Sequence, residues 1–587
     1  MLLLSKNCYF RNPCGKSVAI NENTFALLKK LKYLDLSYNN LTQVPKGLPQ
    51  SITILRLDAN KIEFISKDDF QGLENVKFLD IQGNCPRCHN ARYPCVPCPN
   101  GSIDIHPDAF KRLTQLETLN LGGNSLNYLD PSWFQSLTNL KELFLEFNFL
   151  QKAVTGEATS VKAFSYLHRL EKLDLSFNYA LGLPLYNLKN LDRNNENSEV
   201  SMSPFVKLTP KDSIYEVLHR NTKQECANSG RVLILSSNNL FFISPKQFVG
   251  YGNISCLNLS RNGFSQALNG TEFKMLPNLT YLNLSLNRVD LAYNNAFKEL
   301  KKLQVLDLSY NSHYFEAFGV TLNLNFTQNL PVLRVLNMSH NEISRLTTKE
   351  MYSKSLAELI FAQNHLGKLW KDRDGSYNKL FTNLSNLTIL DISSNGIAKI
   401  PDDVYEYLPH NLTTLCISHN LLSDVNWDKL PFHQLQILDL SYNSLSTLTT
   451  INSNMAQTLT FLDLSHNHIF HADNCFLKSL KSLMTLSLSN NKLTIVNETT
   501  FESGPANLTL FLQGNPFECT CDLLDFVLWI EQSDVKIPRL TTQRLICIRL
   551  CIYCVIEADD STLLLQQPDA HPVISVSRAR VSSFSPF

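Results

Sequence analysis

One pattern constrains this chain more than any other: Leu-x-x-Leu-x-Leu-x-x-Asn. It reads LKYLDLSYN from Leu31, VKFLDIQGN from Val76, LETLNLGGN from Leu116 and LEKLDLSFN from Leu170. It returns as LTYLNLSLN from Leu279, LQVLDLSYN from Leu303, LTILDISSN from Leu387, LQILDLSYN from Leu435 and LTFLDLSHN from Leu459. Roughly eighteen copies start about every 24 residues, so chance is no competitor. Alternation within each copy makes a short strand whose leucines point one way, while the residue between them, often Asp or Asn, points to the opposite face. A single copy has nothing to bury its leucines against, whereas stacked copies share one continuous core. The 587 residues therefore form one elongated array rather than the several globular domains that length alone suggests.

The period is that of a leucine-rich repeat. It predicts an α/β solenoid of horseshoe shape, with a parallel sheet on the concave side and irregular or short helical segments on the convex side. The repeat asparagines, such as Asn39, Asn311 and Asn443, are placed to satisfy backbone groups at the turn leaving each strand. Phenylalanines ahead of the next strand, Phe25, Phe70, Phe110, Phe273, Phe297 and Phe501, read as convex-side core. Two places break the rhythm. A cysteine-rich loop at 84–101 lengthens one repeat of an N-terminal block, 1–184, and a polar stretch poor in repeat signal, 185–230, reads as a linker before a C-terminal block, 231–516. NPFECTCD from Asn515 opens a cap expected over 517–547, and 548–587 is a divergent tail. Neither a signal peptide nor a run of about 20 apolar residues is visible, and no cap precedes Asn7, so further segments are expected outside the given ends.

Fifteen cysteines and roughly a dozen Asn-x-Ser/Thr sequons favour an oxidising, lumenal or extracellular setting. There, Cys85, Cys88, Cys95 and Cys98 suggest two loop disulfides. Four thiolates on zinc are the competing reading, for which the central spacer is short, and a redox centre is a third, without a βαβ context to support it. Cys8 with Cys14 suggests a small staple and Cys226 with Cys256 a tie from the linker to the second block, while Cys519, Cys521 and Cys547 belong to the cap; sequence leaves connectivity open. Sequons at Asn258, Asn283 and Asn337 fall on strand positions expected to be exposed, where a glycan would push a ligand toward a lateral edge or loop.

Charge narrows the function. With 53 basic and 53 acidic residues, the chain is no permanently basic nucleic-acid binder. Its 14 histidines add positive charge only as pH falls. His340, His419 and His466 each precede a repeat asparagine, with His468 and His471 close behind, which predicts tighter anion binding in an acidic compartment. Nucleophile-elbow, His-Glu-x-x-His and phosphate-loop signatures are missing, so neither an enzyme nor a cofactor nor a metal site is expected. The sheet offers a broad binding surface instead.

GNCPRCHNARYPCVPCPNG, with NCYFRNPC before it, DLSYNSHYF from Asp307 and NPFECTCD, resembles the endosomal Toll-like receptors that sense nucleic acids, over most of residues 7–541. The resemblance implies an innate-immunity receptor that works as a homodimer or family heterodimer. Its ligands would be single-stranded RNA fragments or uridine-like small molecules, held in a pocket shared between protomers on the endosomal or extracellular side. Membrane anchoring would belong only to the full-length receptor. By the same resemblance Phe241 and Phe242 supply aromatic walls, and Gln266, Ala267, Asp290, Tyr314, Gly319, Val320 and Thr321 line the partner protomer's half. Asp290 and Thr321 would hydrogen-bond a base edge that the rings stack on. Repeats that the family carries before Asn7 and between Tyr179 and the linker are missing, as are a strongly basic cleavage run and the membrane and cytoplasmic segments. The chain thus reads as a partial receptor that does not signal alone; the alternative is a soluble decoy or adhesion protein that binds another protein.

Overall fold

The computed structural model describes residues 2–3, most of 20–178 and 230–517, and 535–538. Each repeat contributes a short strand to one parallel sheet, nineteen strands among the described residues. Tyr33–Asp35 pairs with Ile54–Arg56, which pairs with Phe78–Asp80, then Thr118–Asn120 and Glu142–Phe144, and so on to Thr509–Phe511. Register never slips: Leu34 faces Leu55, Leu55 faces Leu79 and Leu79 faces Leu119. These leucines, and those two residues further on, are buried in one core. The opposite side of the repeats carries 3-10 turns such as Pro131–Phe134 and Pro245–Phe248, and short helices of which Asp402–Tyr407 is one. No helix among the described residues is long and apolar enough to cross a membrane.

The phenylalanine expectation holds for Phe25, Phe70, Phe110, Phe273 and Phe297, all buried; Phe501 lies outside the described residues. Ring centroids of Phe70 and Phe110 are 6.0 Å apart, those of Phe248 and Phe273 6.1 Å and those of Phe273 and Phe297 6.4 Å. These rings form a second apolar column parallel to the leucines, each adding roughly 1.5–3 kcal/mol of transfer free energy.

Each repeat asparagine ties two repeats together. Asn443 Nδ2 donates to the carbonyls of Ile417 (3.0 Å) in the preceding repeat and of Leu440 (3.1 Å) in its own, while its Oδ1 accepts the Leu422 N–H (3.0 Å). Asn311 repeats the arrangement with Leu284, Leu308 and Val289. Only a short side chain with both donors and an acceptor can do this, which Asp and Leu cannot. The residue before the asparagine is forced into the left-handed region, as at Tyr38 (φ 58°), Phe147 (55°), His419 (54°) and Tyr442 (53°).

Two expectations are corrected. Asn337 is not exposed: only 5% of its surface is accessible, and its Oδ1 accepts from Ser339 N (3.0 Å) and Oγ (2.7 Å). Asn258 and Asn283 are half-buried and accept from Ser260 N and Ser285 N. The strand aspartates behave alike. Asp35 and Asp391 sit on the outer-face register yet are buried, accepting from Ser37 N and Ser393 N. A short polar side chain at a strand end folds back on its own turn rather than projecting.

The linker interrupts the sequence but not the sheet. Lys172–Asp174 pairs directly with Val232–Ile234, and the Asn178 N–H donates to Asn238 Oδ1 at 2.6 Å. Cys85 and Cys98, the outermost cysteines of the cysteine-rich run, are disulfide-bonded with Cα atoms 4.9 Å apart. They are therefore not free thiolates, and the four-thiolate zinc reading falls. Cys256 is also disulfide-bonded. Cys8, Cys14, Cys88, Cys95, Cys226, Cys519, Cys521 and Cys547 lie outside the described residues.

Candidate functional site

Phe241, Phe242, Gln266, Ala267 and Asp290 come together along one edge of three successive repeats. Repeat stacking aligns the segments that follow Asn238, Asn262 and Asn287, because each asparagine is bonded to the next. Phe241 and Phe242 are 51% and 68% exposed, an unusual outlay of apolar surface for two adjacent residues. Gly263 lies alongside Phe241, its missing Cβ 3.8 Å from the ring, and the Ser265 N–H donates to the Phe241 carbonyl. Ala267 bridges Asp290 in parallel fashion, with the Leu268 N–H donating to the Asp290 carbonyl at 3.2 Å.

The polar groups differ in how they are held. Gln266 is committed to the scaffold: its Oε1 accepts the Ile243 N–H and its Nε2 donates to the Ile243 carbonyl. Half-buried Asp290 accepts the Ala292 N–H at 2.9 Å through Oδ1, which fixes the carboxylate at the edge. Exposed rings can stack on a planar group, and an oriented carboxylate can accept hydrogen bonds from such a group's edge. Tyr314, Gly319, Val320 and Thr321 lie outside the described residues.

A second feature runs just beyond the strand ends, in the column that precedes the repeat asparagines. There the rings of neighbouring repeats stack: Phe147 on Phe177 (4.4 Å), Tyr310 on His340 (4.0 Å), His419 on Tyr442 (4.1 Å) and Tyr442 on His466 (4.0 Å), all within 12° of parallel. Strands spaced about 4.8 Å apart bring rings in this column to stacking distance. Burial pushes the His419 pKa below the ordinary histidine value, and His466 across the stack pushes the same way. His419 therefore gains charge later than an ordinary histidine as pH falls.

Comparison with known proteins fits this architecture. The leucine rich repeat family matches residues 30–50, 100–150, 231–289, 263–312, 385–445 and 457–517. Over 92% of its length the chain is 40% identical to Toll-like receptor 8 of Homo sapiens and 37% identical to Toll-like receptor 7 of Mus musculus. The chain belongs to the Toll-like receptor family. It spans 60% of each of those two relatives, and it is 33% identical to Toll-like receptor 9 of Homo sapiens over 73% of its own length and 49% of that protein's. The expectation that the chain is no enzyme agrees with this membership, since these Toll-like relatives are receptors.

Within this Toll-like receptor chain, sequence reasoning missed the stacked column. It singled out His340, His419 and His466 for their charge, but not the tyrosines between and beside them. The signal was available: SHN, SYN and SHN end three successive copies at 418–420, 441–443 and 465–467, and identical register implies that their central residues stack.

Proposed function

We propose that this chain is the ligand-recognising part of an innate-immunity pattern-recognition receptor. Its ligand is single-stranded RNA or the nucleosides released from it, met at the 241–290 edge on the lumenal side of an acidic compartment. The edge supplies half of a site that a second protomer completes, as homodimer or family heterodimer, and the full-length receptor carries the membrane anchor. One observation carries this reading: the chain presents on one edge both parts of the expected pocket, the exposed rings of Phe241 and Phe242 for one half and, one and two repeats on, Ala267 and the oriented Asp290 carboxylate for the half that would face a partner's rings. The buried Asn337 and half-buried Asn283 leave less reason for glycans to obstruct the sheet, yet the exposed rings still favour the edge over the sheet face.

Titration with uridine and with a short uridine-rich RNA at about pH 5.5 and about pH 7.5 tests it. Saturable binding is expected, tighter at the lower pH, and weakened about tenfold by Asp290→Ala or Phe242→Ala. Absence of binding at both pH values would overturn the proposal in favour of a soluble decoy or adhesion protein.

A further inference from the structure

The repeats that carry the candidate edge break the charge balance of the chain. Over the whole sequence 53 basic residues meet 53 acidic ones, but between Arg231 and Val289 five basic residues, Arg231, Lys246, Arg261, Lys274 and Arg288, stand against a single acidic one, Glu272. The strand ends share the bias: Asn258 and Asn283 occupy the register position that Asp35, Asp307, Asp391, Asp439 and Asp463 hold in other repeats.

Glu272 does not restore the balance. It is only 3% exposed, and its own turn encloses the carboxylate, which accepts from the Asn269 N–H at 3.1 Å and from the Gly270 and Thr271 N–H groups at 3.0 Å each. Donors directed at a carboxylate in this way offset its charge locally. The next acidic residue in sequence is Asp290, half-buried and held by the Ala292 N–H at 2.9 Å. From Arg231 to Val289, then, the exposed charge is positive, and such a field favours anions.

Two of these cations lie on the edge itself. Arg261 and Arg288 are both exposed, and among the described residues neither is in an ion pair. Arg231, by contrast, donates to the His168 carbonyl at 3.1 Å, on the side from which the chain enters the strand. Gly263 comes two residues after Arg261 and lies alongside the Phe241 ring. Arg288 holds the place of Gly263 one rung on: each follows its repeat asparagine, Asn262 or Asn287, and the Arg288 N–H donates to the Phe264 carbonyl at 2.7 Å. A rung measures about 4.8 Å, so both guanidinium groups are tethered within a side chain's length of the ring. Glycine keeps the gap between them clear.

We infer that this edge takes its nucleobase with a phosphate attached, which names the ligand class of the nucleobase reading and rests on that reading. The base stacks on Phe241, and the phosphate oxygens accept hydrogen bonds from the Arg261 and Arg288 guanidinium groups on either side of Gly263. Arginine suits this task because its planar fork stays charged and donates two parallel N–H groups to one phosphate. The edge therefore prefers a nucleotide to a bare nucleoside. A terminal phosphate monoester and a phosphodiester between two nucleosides share the chemistry.

Isothermal titration of the whole chain with uridine, uridine monophosphate and the dinucleotide UpU, at about pH 5.5 and low salt, tests this. The monophosphate or UpU, according to the source of the phosphate, should bind about tenfold tighter than uridine, and the gap should close near about 0.5 M salt. The double variant Arg261→Gln/Arg288→Gln should bring both phosphate-bearing ligands down to the affinity of uridine. Lys274→Gln, which removes an exposed cation beside the buried Phe273, should leave the gap intact. Saturable uridine binding with no gap to either phosphate-bearing ligand would overturn this inference and leave the base site standing. A gap that survives the double variant, or that Lys274→Gln removes as fully, would overturn it too, and no binding by any of the three would overturn both readings.

Discussion

The repeats around Gly83 and Gly123 and those around Tyr442 share one backbone and differ in what they hang on it. In both, a buried asparagine crosslinks neighbouring repeats, Asn148 to the Leu121 and Leu145 carbonyls and Asn467 to those of Leu440 and Leu464. In both, the next column is held in the left-handed region. Around Tyr442 that column is filled by rings that satisfy one another; around Gly123 it is bare, and Asp58, Gln82, Gly122 and Glu146 stand where most repeats have serine. The difference shows that the crosslink is structural and indifferent to its neighbours, so the adjoining columns are free to specialise.

The largest effect should test that indifference. Asn148→Ala and Asn467→Ala each strip a buried site of several hydrogen bonds and leave backbone groups unpaired, costing about 3 kcal/mol or more. Chemical denaturation should give the two variants losses within about 1 kcal/mol of each other. A large disparity would break the claim that both regions rest on the same crosslink.

An intermediate effect separates the two by pH. Burial raises the Glu146 pKa to about 7, with Asp174 and Asp80 adding to the rise, and burial with Asp463 raises Asp439 to about 6. A carboxyl whose pKa is higher folded than unfolded binds its proton more tightly in the native state. Its contribution is therefore complete below the unfolded value and is lost as pH climbs to the folded one. Glu146→Gln should gain stability over wild type between about pH 4.5 and about pH 7, by on the order of 1–3 kcal/mol, whereas Asp439→Asn should gain it between about pH 4 and about pH 6. Thermal melts at successive pH values would reveal the two windows, and coincident windows would contradict the distinct environments.

Smallest is the ring effect. Tyr442→Ala removes the middle ring of the His419–Tyr442–His466 stack and should cost about 1–2 kcal/mol. Because burial is the main cause of the depressed His419 pKa, uncovering the ring should move that pKa upward toward the ordinary histidine value in an NMR titration. An unmoved His419 would mean that the stack does not set its environment.

Much of this could be read from the sequence because the repeat fixes register. Once Leu34 is known to face Leu55, the burial of the leucines, the phenylalanine column and the asparagine crosslinks follow. The edge from Phe241 to Asp290 was legible only through resemblance, since nothing in the repeat separates an exposed Phe242 from a buried Phe248. Three things escaped for physical reasons. Asn337 and the strand aspartates fold back onto their turns, a local hydrogen bond that an alternating pattern cannot express. Gln266 is spent on Ile243, a partner 23 positions away. The bare column at Ala59, Gly83 and Gly123 is defined by side chains that are missing, and glycine reads as a turn residue until its column is known.

Lys172–Asp174 and Val232–Ile234 sit side by side although the chain between them is far longer than one repeat. A rung recognises its neighbour and not the path the backbone takes to reach it, and loop closure grows only by about 0.6 kcal/mol per doubling of length. Two stretches of solenoid could therefore nucleate independently and zip together at this seam, where covalent continuity contributes little to cohesion.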